Sequence, residues 1–515
     1  MPEIKTALLS VSDRTGLVDF AKKLKEFGVA LIASDGTAKF LKNNGVPCKS
    51  VSQYTGMSPL VGSRVKTLHP KIHAGILARR SNARDMKDIR GTEILPIDMV
   101  VVNLYPFSSV VSRTGATDSE ICENIDIGGP TLLRAAAKNW PYVLAVSDTD
   151  DYRRVILELK KHGRSTTKEF NREFALKVFQ RTAKYDSLIA NYFANKAGDK
   201  EFPQNIQFVL EKSQDLSYGE NPHQSAALYR IPANAKNKTG LTQFHGKQLS
   251  YNNILDVDSV LRVLADFKEQ TCVIVKHTNP CGLASGKTNI LAWRKALEGD
   301  PVSAFGSIVG FNRKVDSRTA KEISKLFVEV IVAPGFANEA LEVLQRKKNL
   351  RILVMKGKFT NQLEYRSALD GILCQHPDYR LSLYQKTVTR RKPTNKELAA
   401  LDFAWRVVKH CKSNAIVLAT TNQVLGVGTG QMSRIDALRI AKYKLQHFFK
   451  GKKIMPLVMA SDAFFPFPDS VREAHKIGVT AIIQPGGSIR DDQSIYACDQ
   501  AGIAMVLTGM RHFRH

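Results

Sequence analysis

No two of the seven cysteines in this 515-residue chain form a CxxC pair; Cys48, Cys122, Cys272, Cys281, Cys374, Cys411 and Cys498 are scattered and odd in number. That spacing argues against a disulfide framework and offers no zinc cluster, so the thiols read as buried core groups. The chain also lacks an uncharged apolar run of the roughly 18 residues that a membrane helix needs, and no signal-peptide core precedes a small-residue cleavage site. No membrane partner and a cytoplasmic location are therefore expected. Acid is the scarcer charge: 48 Asp plus Glu against 75 Lys plus Arg leave +27. Such a surplus attracts polyanions, and a basic nucleic-acid-binding protein is one reading of it. The cations are spread along the chain without a helix-turn-helix or aromatic RNA-recognition pattern, so no specific nucleic acid is expected and a nucleotide enzyme fits as well.

What the chain has in quantity is alternation. Short apolar runs at 6–11, 29–33, 99–105 and 142–147 are interleaved with amphipathic stretches at 17–27, 38–44, 130–139, 152–162 and 167–197. This strand-helix rhythm predicts a parallel α/β sheet. The polar segment 198–205, which contains Pro203, reads as the main boundary, giving domains 1–198 and 199–515. Beyond it, strands at 271–275, 415–419 and 481–484 and helices at 396–409, 434–449 and 470–477 predict a parallel or mixed sheet, with a subdomain split near 384–396. No short tandem repeat is visible.

Chemistry gathers at a few strings. Residues 275–282 (VKHTNPCG) bring Lys276 and His277 to the end of an apolar strand, a pairing suited to acid-base work on an anionic ligand. The bland alternative makes Lys276 a solvated strand-end charge and His277 a satisfied core imidazole. Residues 507–515 (LTGMRHFRH) surround Phe513 with Arg511, His512, Arg514 and His515, a tail composition that predicts a docked rather than a frayed end. Two hydroxyl-rich turns, 10–16 (SVSDRTG) and 33–39 (ASDGTAK), are phosphate cradles or a pair of ordinary helix caps. Residues 62–74 (GSRVKTLHPKIHA) add Arg64, Lys66 and Thr67, the two cations alternating so that an extended segment points them to one side. His69 and His73 have helical metal spacing, but Pro70 interrupts and no third ligand is suggested, so no metal is expected. Residues 124–139 (NIDIGGPTLLRAAAKN) place Asp126 before a Gly-Gly turn and Lys138 on the following helix, which with Tyr105 makes a proton-transfer set. Weaker strings are 218–224 (YGENPHQ), 303–306 (SAFG), Ser413-Asn414, 426–434 (GVGTGQMSR) and 461–469 (SDAFFPFPD). A zinc deaminase reading fails at Ala284, where its motif requires a second cysteine.

Together, and over essentially the whole chain, these strings resemble the bifunctional purine-biosynthesis enzymes that are both aminoimidazole carboxamide ribonucleotide (AICAR) formyltransferase and inosine monophosphate (IMP) cyclohydrolase. The resemblance implies an N-terminal methylglyoxal-synthase-like doubly wound domain and a C-terminal transferase region of two cytidine-deaminase-like α/β subdomains without metal. It implies 10-formyltetrahydrofolate as formyl donor, AICAR and its formylated product as nucleotide substrates, and a homodimer. On the transferase side it implies His277 as base or proton shuttle, Lys276 as its electrostatic partner and Asn414 as the group orienting the formyl. Tyr218, Asn221, Arg511, Phe513 and His515 would bind the nucleotide, and Phe464, Asp469, Ile435, Ser303 and Phe305 would line the folate site. For ring closure it implies Lys66 at the oxyanion, Tyr105, Asp126 and Lys138 moving protons, and Ser10, Ser12, Arg14, Ser34, Gly36, Thr37, Arg64 and Thr67 holding phosphate and ribose.

The chain departs from the family pattern in three places. Arg14 stands for a usual Lys and keeps the charge. Asp35 replaces the first glycine of the second turn, which puts a carboxylate into a phosphate loop and is expected to strain it. Ser217 replaces an Arg whose phosphate contact is bidentate, which favours as alternative an enzyme that is mainly a cyclohydrolase with a weak or altered formyltransferase.

Overall fold

The computed structural model describes residues 2–196, 202–230, 240–357, 363–381 and 386–515. The described residues form two compact units, one running to Leu210 and the other starting at Glu211. The expected boundary between 198 and 199 lies outside the described residues, as does the start of the expected 384–396 divide.

In the first unit, β1 (Thr6–Val11), β2 (Ala30–Ala33), β3 (Lys49–Ser50), β4 (Met99–Asn103) and β5 (Leu144–Val146) form an all-parallel sheet in the order β3-β2-β1-β4-β5. The strands are apolar along their whole length because both faces are covered. On one face Leu9, Leu31, Val101 and Val146 pack with Phe20, Leu24, Val155 and Leu159 of helices Leu17–Glu26 and Tyr152–Lys161. On the other, Leu8, Ile32, Val100 and Ala145 meet Ile72, Ile76, Leu132 and Ala136 of helices Pro70–Leu77 and Gly128–Lys138. This is the expected doubly wound α/β arrangement.

The second unit opens with a hairpin, β6 (Glu211–Leu216) and β7 (Ala226–Arg230), and then builds two six-stranded sheets. The first comprises β8 (Leu241–His245), β9 (Thr271–Lys276), β10 (Asn279–Ser285), β11 (Ser307–Phe311), β12 (Val328–Ala333) and β13 (Arg351–Met355), in the order β10-β9-β11-β12-β13-β8. After a second hairpin, β14 (Glu364–Ala368) and β15 (Gly371–Gln375), come β16 (Lys386–Thr387), β17 (Ile416–Ala419), β18 (Val424–Gly428), β19 (Val458–Ser461), β20 (Ala481–Gln484) and β21 (Ala504–Leu507), in the order β18-β17-β19-β20-β21-β16.

Strand for strand the two orders are the same, and so are the pairings. Each sheet has an antiparallel edge hairpin, three parallel strands and an antiparallel first strand at the far edge. The region is therefore a duplicated α/β unit, a repeat too diverged for the sequence to display. Helices Tyr251–Ala265 and Asn395–Val408 lie between the sheets in one apolar layer that includes Val273, Val275, Val417, Val458 and Trp405. Separate cores cover the outer faces.

Glycine serves packing in both copies. A Cβ on Gly282 of β10 would lie 2.2 Å from Ala296 O, and one on Gly428 of β18 would lie 1.8 Å from Ala437 O, so the edge-strand backbones let the following helices close in. Gly426 and Gly428, from the weak site-like string 426–434, belong to the strand β18. The cysteines also depart from expectation: Cys272, Cys411 and Cys498 are buried, Cys122 is exposed and the others lie between. Among the described residues, no helix is long and apolar enough to cross a membrane.

Glu397 shows how the inner layer is fastened. It completes the capping box of helix Asn395–Val408 with Thr394, and both its oxygens accept from Arg391, at 2.8 and 3.0 Å. Burial opposes its charge, but Arg391, Thr480 and the Thr394 N–H outweigh it and hold the carboxyl down to about 2. A depressed carboxyl stabilises the fold above its unfolded value and loses that contribution as pH falls through the folded one. Glu397→Gln should accordingly lower stability by about 1–3 kcal/mol at neutral pH. The gap from the parent in thermal melts should close as pH falls from about 4.5 towards about 2.

Candidate functional site

In an open parallel sheet, ligands bind outside the strand carboxyl ends where the strand order reverses, which here is between β1 and β4. Ser10 and Ser12 lie at the end of β1, and Asn103 ends β4 opposite them. Asn103 Oδ1 accepts from Ser12 N (2.6 Å), Asp13 N (2.8 Å) and Ser12 Oγ (2.9 Å), and its Nδ2 donates to Asp13 O (2.8 Å). Sequence reasoning missed Asn103; its one signal is a polar residue closing the run MVVVN.

The second turn is tied to the first. Thr37 Oγ1 accepts from Val11 N (3.2 Å) and Ser34 Oγ (3.1 Å), and helix Asp35–Asn43 has no side-chain cap bond at Ser34. Leading N–H groups of such a helix suit an anion, and a Cβ on Gly36 would meet nothing within 4 Å. Arg14 lies over the Phe40 ring, 4.7 Å from its centroid. The expected strain at Asp35 is absent. This residue has no left-handed φ, opens the helix where a carboxylate favours the dipole, and accepts from Ser52 Oγ at 2.6 Å.

Arg64 and Lys66 do not act side by side. Arg64 ends a turn that includes left-handed Val61 and Ser63 and pairs with Glu123, whereas Lys66 Nζ lies 3.5 Å from Tyr105 Oη. Buried Thr67 sits under Gly128, where a Cβ would come within 2.9 Å of its Oγ1. Asp126 completes the cluster: its carboxylate accepts from Gly129 N (2.8 Å) and lies near the Tyr105 N–H. Burial pushes the Asp126 carboxyl up, against those two N–H groups and the Lys66 charge. Tyr185, also missed, accepts the Asp126 N–H at 2.7 Å. Lys66, Tyr105 and Asp126 thus come together, while Lys138 does not. It is the exposed last residue of helix Gly128–Lys138, roughly 15 Å along the axis from the Gly-Gly end. His69 caps helix Pro70–Leu77 through its ring nitrogen, and the ring of His73 is half-buried, its Nε2 without a hydrogen-bond partner among the described residues.

In the second unit, His277 and Thr278 form the two-residue turn between β9 and β10, with Lys276 facing Asn279. His277 is exposed, which rules out the core-imidazole alternative, and Lys276 Nζ donates to Phe305 O (2.8 Å). The tail is docked as expected. Alternate residues His512 and Arg514 turn inward while Arg511, Phe513 and His515 stay exposed. His512 N donates to Asp462 O (2.9 Å), and Arg514 donates to His410 O (2.7 Å) and Ser259 Oγ (3.0 Å). Arg511 stacks on Phe513 at 4.7 Å, and the Phe513 and His515 rings lie 5.7 Å apart.

Asn414 is held at both ends of its amide. Oδ1 accepts from buried Arg434 (2.7 Å), and Nδ2 donates to Gln431 O (3.0 Å) and Met432 O (3.2 Å). Arg434 also pairs with Asp462, which fixes Ile435 and Phe464, a residue or two away, beside this network. Asp469 opens helix Asp469–Lys476, exposed, and Phe305 packs on Phe327 at 5.2 Å with Ser303 N bonded to Asp300. Tyr218 and Asn221 lie in a loop closed on itself by Gln224, and Asn252 of helix Tyr251–Ala265 donates to Glu220 O (3.1 Å). Ser217 precedes that loop, exposed.

Residues 136–444 match the family model described as the AICARFT/IMPCHase bienzyme, and residues 16–131 match the MGS-like domain. The chain belongs to the AICARFT/IMPCHase family. Relatives named bifunctional purine biosynthesis protein PurH include those of Persephonella marina, 50% identical over 517 residues, and Caldicellulosiruptor bescii, 48% identical over 517 residues; each alignment covers 99% of this chain and 100% of the relative. The PurH of Bacillus mycoides is 47% identical over 516 residues, with the same coverage. This family membership gives the two clusters a common context, one in each unit.

Proposed function

We propose that the first unit closes the purine ring and the second transfers the formyl group, so that the two clusters serve successive reactions. The chain is a bifunctional enzyme of purine biosynthesis: with a folate cosubstrate it formylates AICAR, and it cyclises the product to IMP. In our reading the donor is 10-formyltetrahydrofolate. The observation that carries the division of labour is the separation of the residue sets. Lys66, Tyr105 and Asp126 converge at the switch point of one unit, and Lys276, His277 and the docked tail belong to the other.

For formyl transfer, the AICAR 5-amino nitrogen attacks the formyl carbon, the bond from that carbon to folate nitrogen breaks, and the amine proton passes by way of the base to that folate nitrogen, giving tetrahydrofolate. The amine is a weak nucleophile, so a base is needed as the new bond forms, and a cation is needed at the carbonyl oxygen. Exposed His277 supplies the first and Lys276 the second. Asn414 orients the formyl oxygen by exchanging one of its two carbonyl partners for it. Tyr218, Asn221, Arg511, Phe513 and His515 hold the nucleotide, and Phe464, Asp469, Ile435, Ser303 and Phe305 hold folate.

For ring closure, the carboxamide nitrogen attacks the new formyl carbon within one molecule and water is lost. Holding the two groups in contact therefore does much of the work. Lys66 stabilises the oxyanion, while Tyr105 and Asp126 move protons. Ser10, Ser12, Arg14, Ser34, Gly36, Thr37 and Thr67 bind phosphate and ribose. Arg64 joins them on leaving Glu123, and Lys138 stands outside this set.

The exposed apolar residues of hairpin β14-β15, Leu369, Ile372 and Leu373, support self-association as a homodimer. Seven free cysteines support a reducing, cytoplasmic setting. The test supplies AICAR with 10-formyltetrahydrofolate, and separately the formylated intermediate alone. IMP is expected from both. IMP from the intermediate alone would mean that Ser217 has cost the transferase, and IMP from neither would refute the reading.

A further inference from the structure

His277 and Thr278 occupy a conformation that their side chains disfavour. Both are left-handed, at φ 53° and 62°, as the two central residues of a two-residue hairpin. That turn is usually built from Asn-Gly or Gly-Gly, and a β-branched residue in the left-handed region is strained. Strain of this kind persists only where the surroundings over-determine it.

The surroundings here centre on one side chain. Asp256, in helix Tyr251–Ala265, accepts the Thr278 N–H at 2.6 Å, and its carboxylate lies near the N–H of His277. Its hydrogen bond is to a main-chain group, and the His277 imidazole lies near enough for its charge to favour the carboxylate. Two weaker ties complete the frame. Asn279 Nδ2 donates to His277 O (2.9 Å), and Arg514 lies 3.5 Å from Thr278 O. Burial pushes the Asp256 carboxyl up, while the two N–H groups and His277 work the other way.

We propose that Asp256 is a positioning residue for formyl transfer, holding the 277–278 turn left-handed so that His277 is presented beside Lys276. The inference rests on the reading of His277 as the base. If the turn relaxes to right-handed φ values, the two strands splay and the imidazole leaves its position relative to Lys276, which the Phe305 carbonyl holds in place. Asp256 touches neither substrate nor reacting atom in this scheme. Its effect should fall on kcat and not on KM.

The test uses the full-length enzyme with both substrates, and cyclisation of the formylated intermediate serves as an internal control. Asp256→Ala should lower kcat for formyl transfer about 30-fold, with KM for AICAR and folate within about twofold and cyclisation unchanged. Asp256→Asn, whose amide oxygen still accepts one N–H, should lose only about fivefold. Adding Thr278→Gly to Asp256→Ala removes the steric cost of the turn and should restore about tenfold. A kcat within twofold of the parent in Asp256→Ala, or a double variant no better than the single one, would overturn the proposal. A fall in cyclisation and thermal stability that matches the fall in formyl transfer would overturn it too, by making Asp256 structural. His277→Ala run alongside separates the two readings. If it retains formyl transfer, the base assignment fails; if it alone loses formyl transfer, the base assignment stands and the role of Asp256 fails.

Discussion

His277→Ala is expected to lower formyl transfer by about 100- to 10,000-fold and to leave cyclisation of the formylated intermediate within about twofold. The size follows from the chemistry, because proton removal accompanies bond formation at a poor nucleophile and no other imidazole lies in the 276–279 turn. Selectivity follows from the fold. His277 is exposed at a hairpin turn, so truncating it removes no core packing and should cost little stability. Tetrahydrofolate release from AICAR reports the first reaction, and IMP formed from the intermediate reports the second. Equal loss of both activities would break the assignment of one reaction to each unit.

Lys66→Met is the complementary case. Ring closure should fall about 100- to 1,000-fold while tetrahydrofolate release is kept, because a preorganised charge at a developing oxyanion contributes on that scale. A second readout follows from the Asp126 carboxyl. Burial already pushes it up, and Lys66 is one of the groups opposing that shift, so removing the cation moves it further up. If the carboxylate form is needed, the acidic limb of the ring-closure pH profile should shift to higher pH in the variant. A profile lowered uniformly, without that shift, would take Asp126 out of proton transfer. The linkage to stability has a definite sign as well. A carboxyl raised by folding contributes stability that is complete below its unfolded value and is lost as pH rises through the folded one, so ionised Asp126 is carried at a cost.

Much of the molecule was legible in the sequence because its signals are local. The apolar run at 6–11 is β1 with the same bounds, and the alternation that follows it is the doubly wound sheet, since strands covered on both faces must be apolar throughout. The docked tail was legible from composition. Asp35 was misjudged because the family's glycine there suggested an open loop, whereas this chain starts a helix at that residue and finds Ser52, 17 positions away, for its carboxylate. Gly426 and Gly428, in a string that is only weakly site-like in the sequence, are needed for packing, each pressed against a helix carbonyl that no local pattern reveals.

What the sequence determined by itself was the strand-helix rhythm, the family and the residue types that the chemistry needs, all carried by periodicity and short contiguous strings. Only the tertiary structure decided which of those residues meet. It placed Asn103 against Ser12 across 91 positions, set Tyr185 behind Asp126, left Lys138 at the far end of its helix, and brought Asp256 under the His277 turn. It also showed that the two α/β subdomains implied by the family resemblance share one strand order and pairing. Strand order and pairing are long-range properties that a buried apolar layer preserves under extensive substitution, so the repeat persists in the fold where none is visible in the sequence.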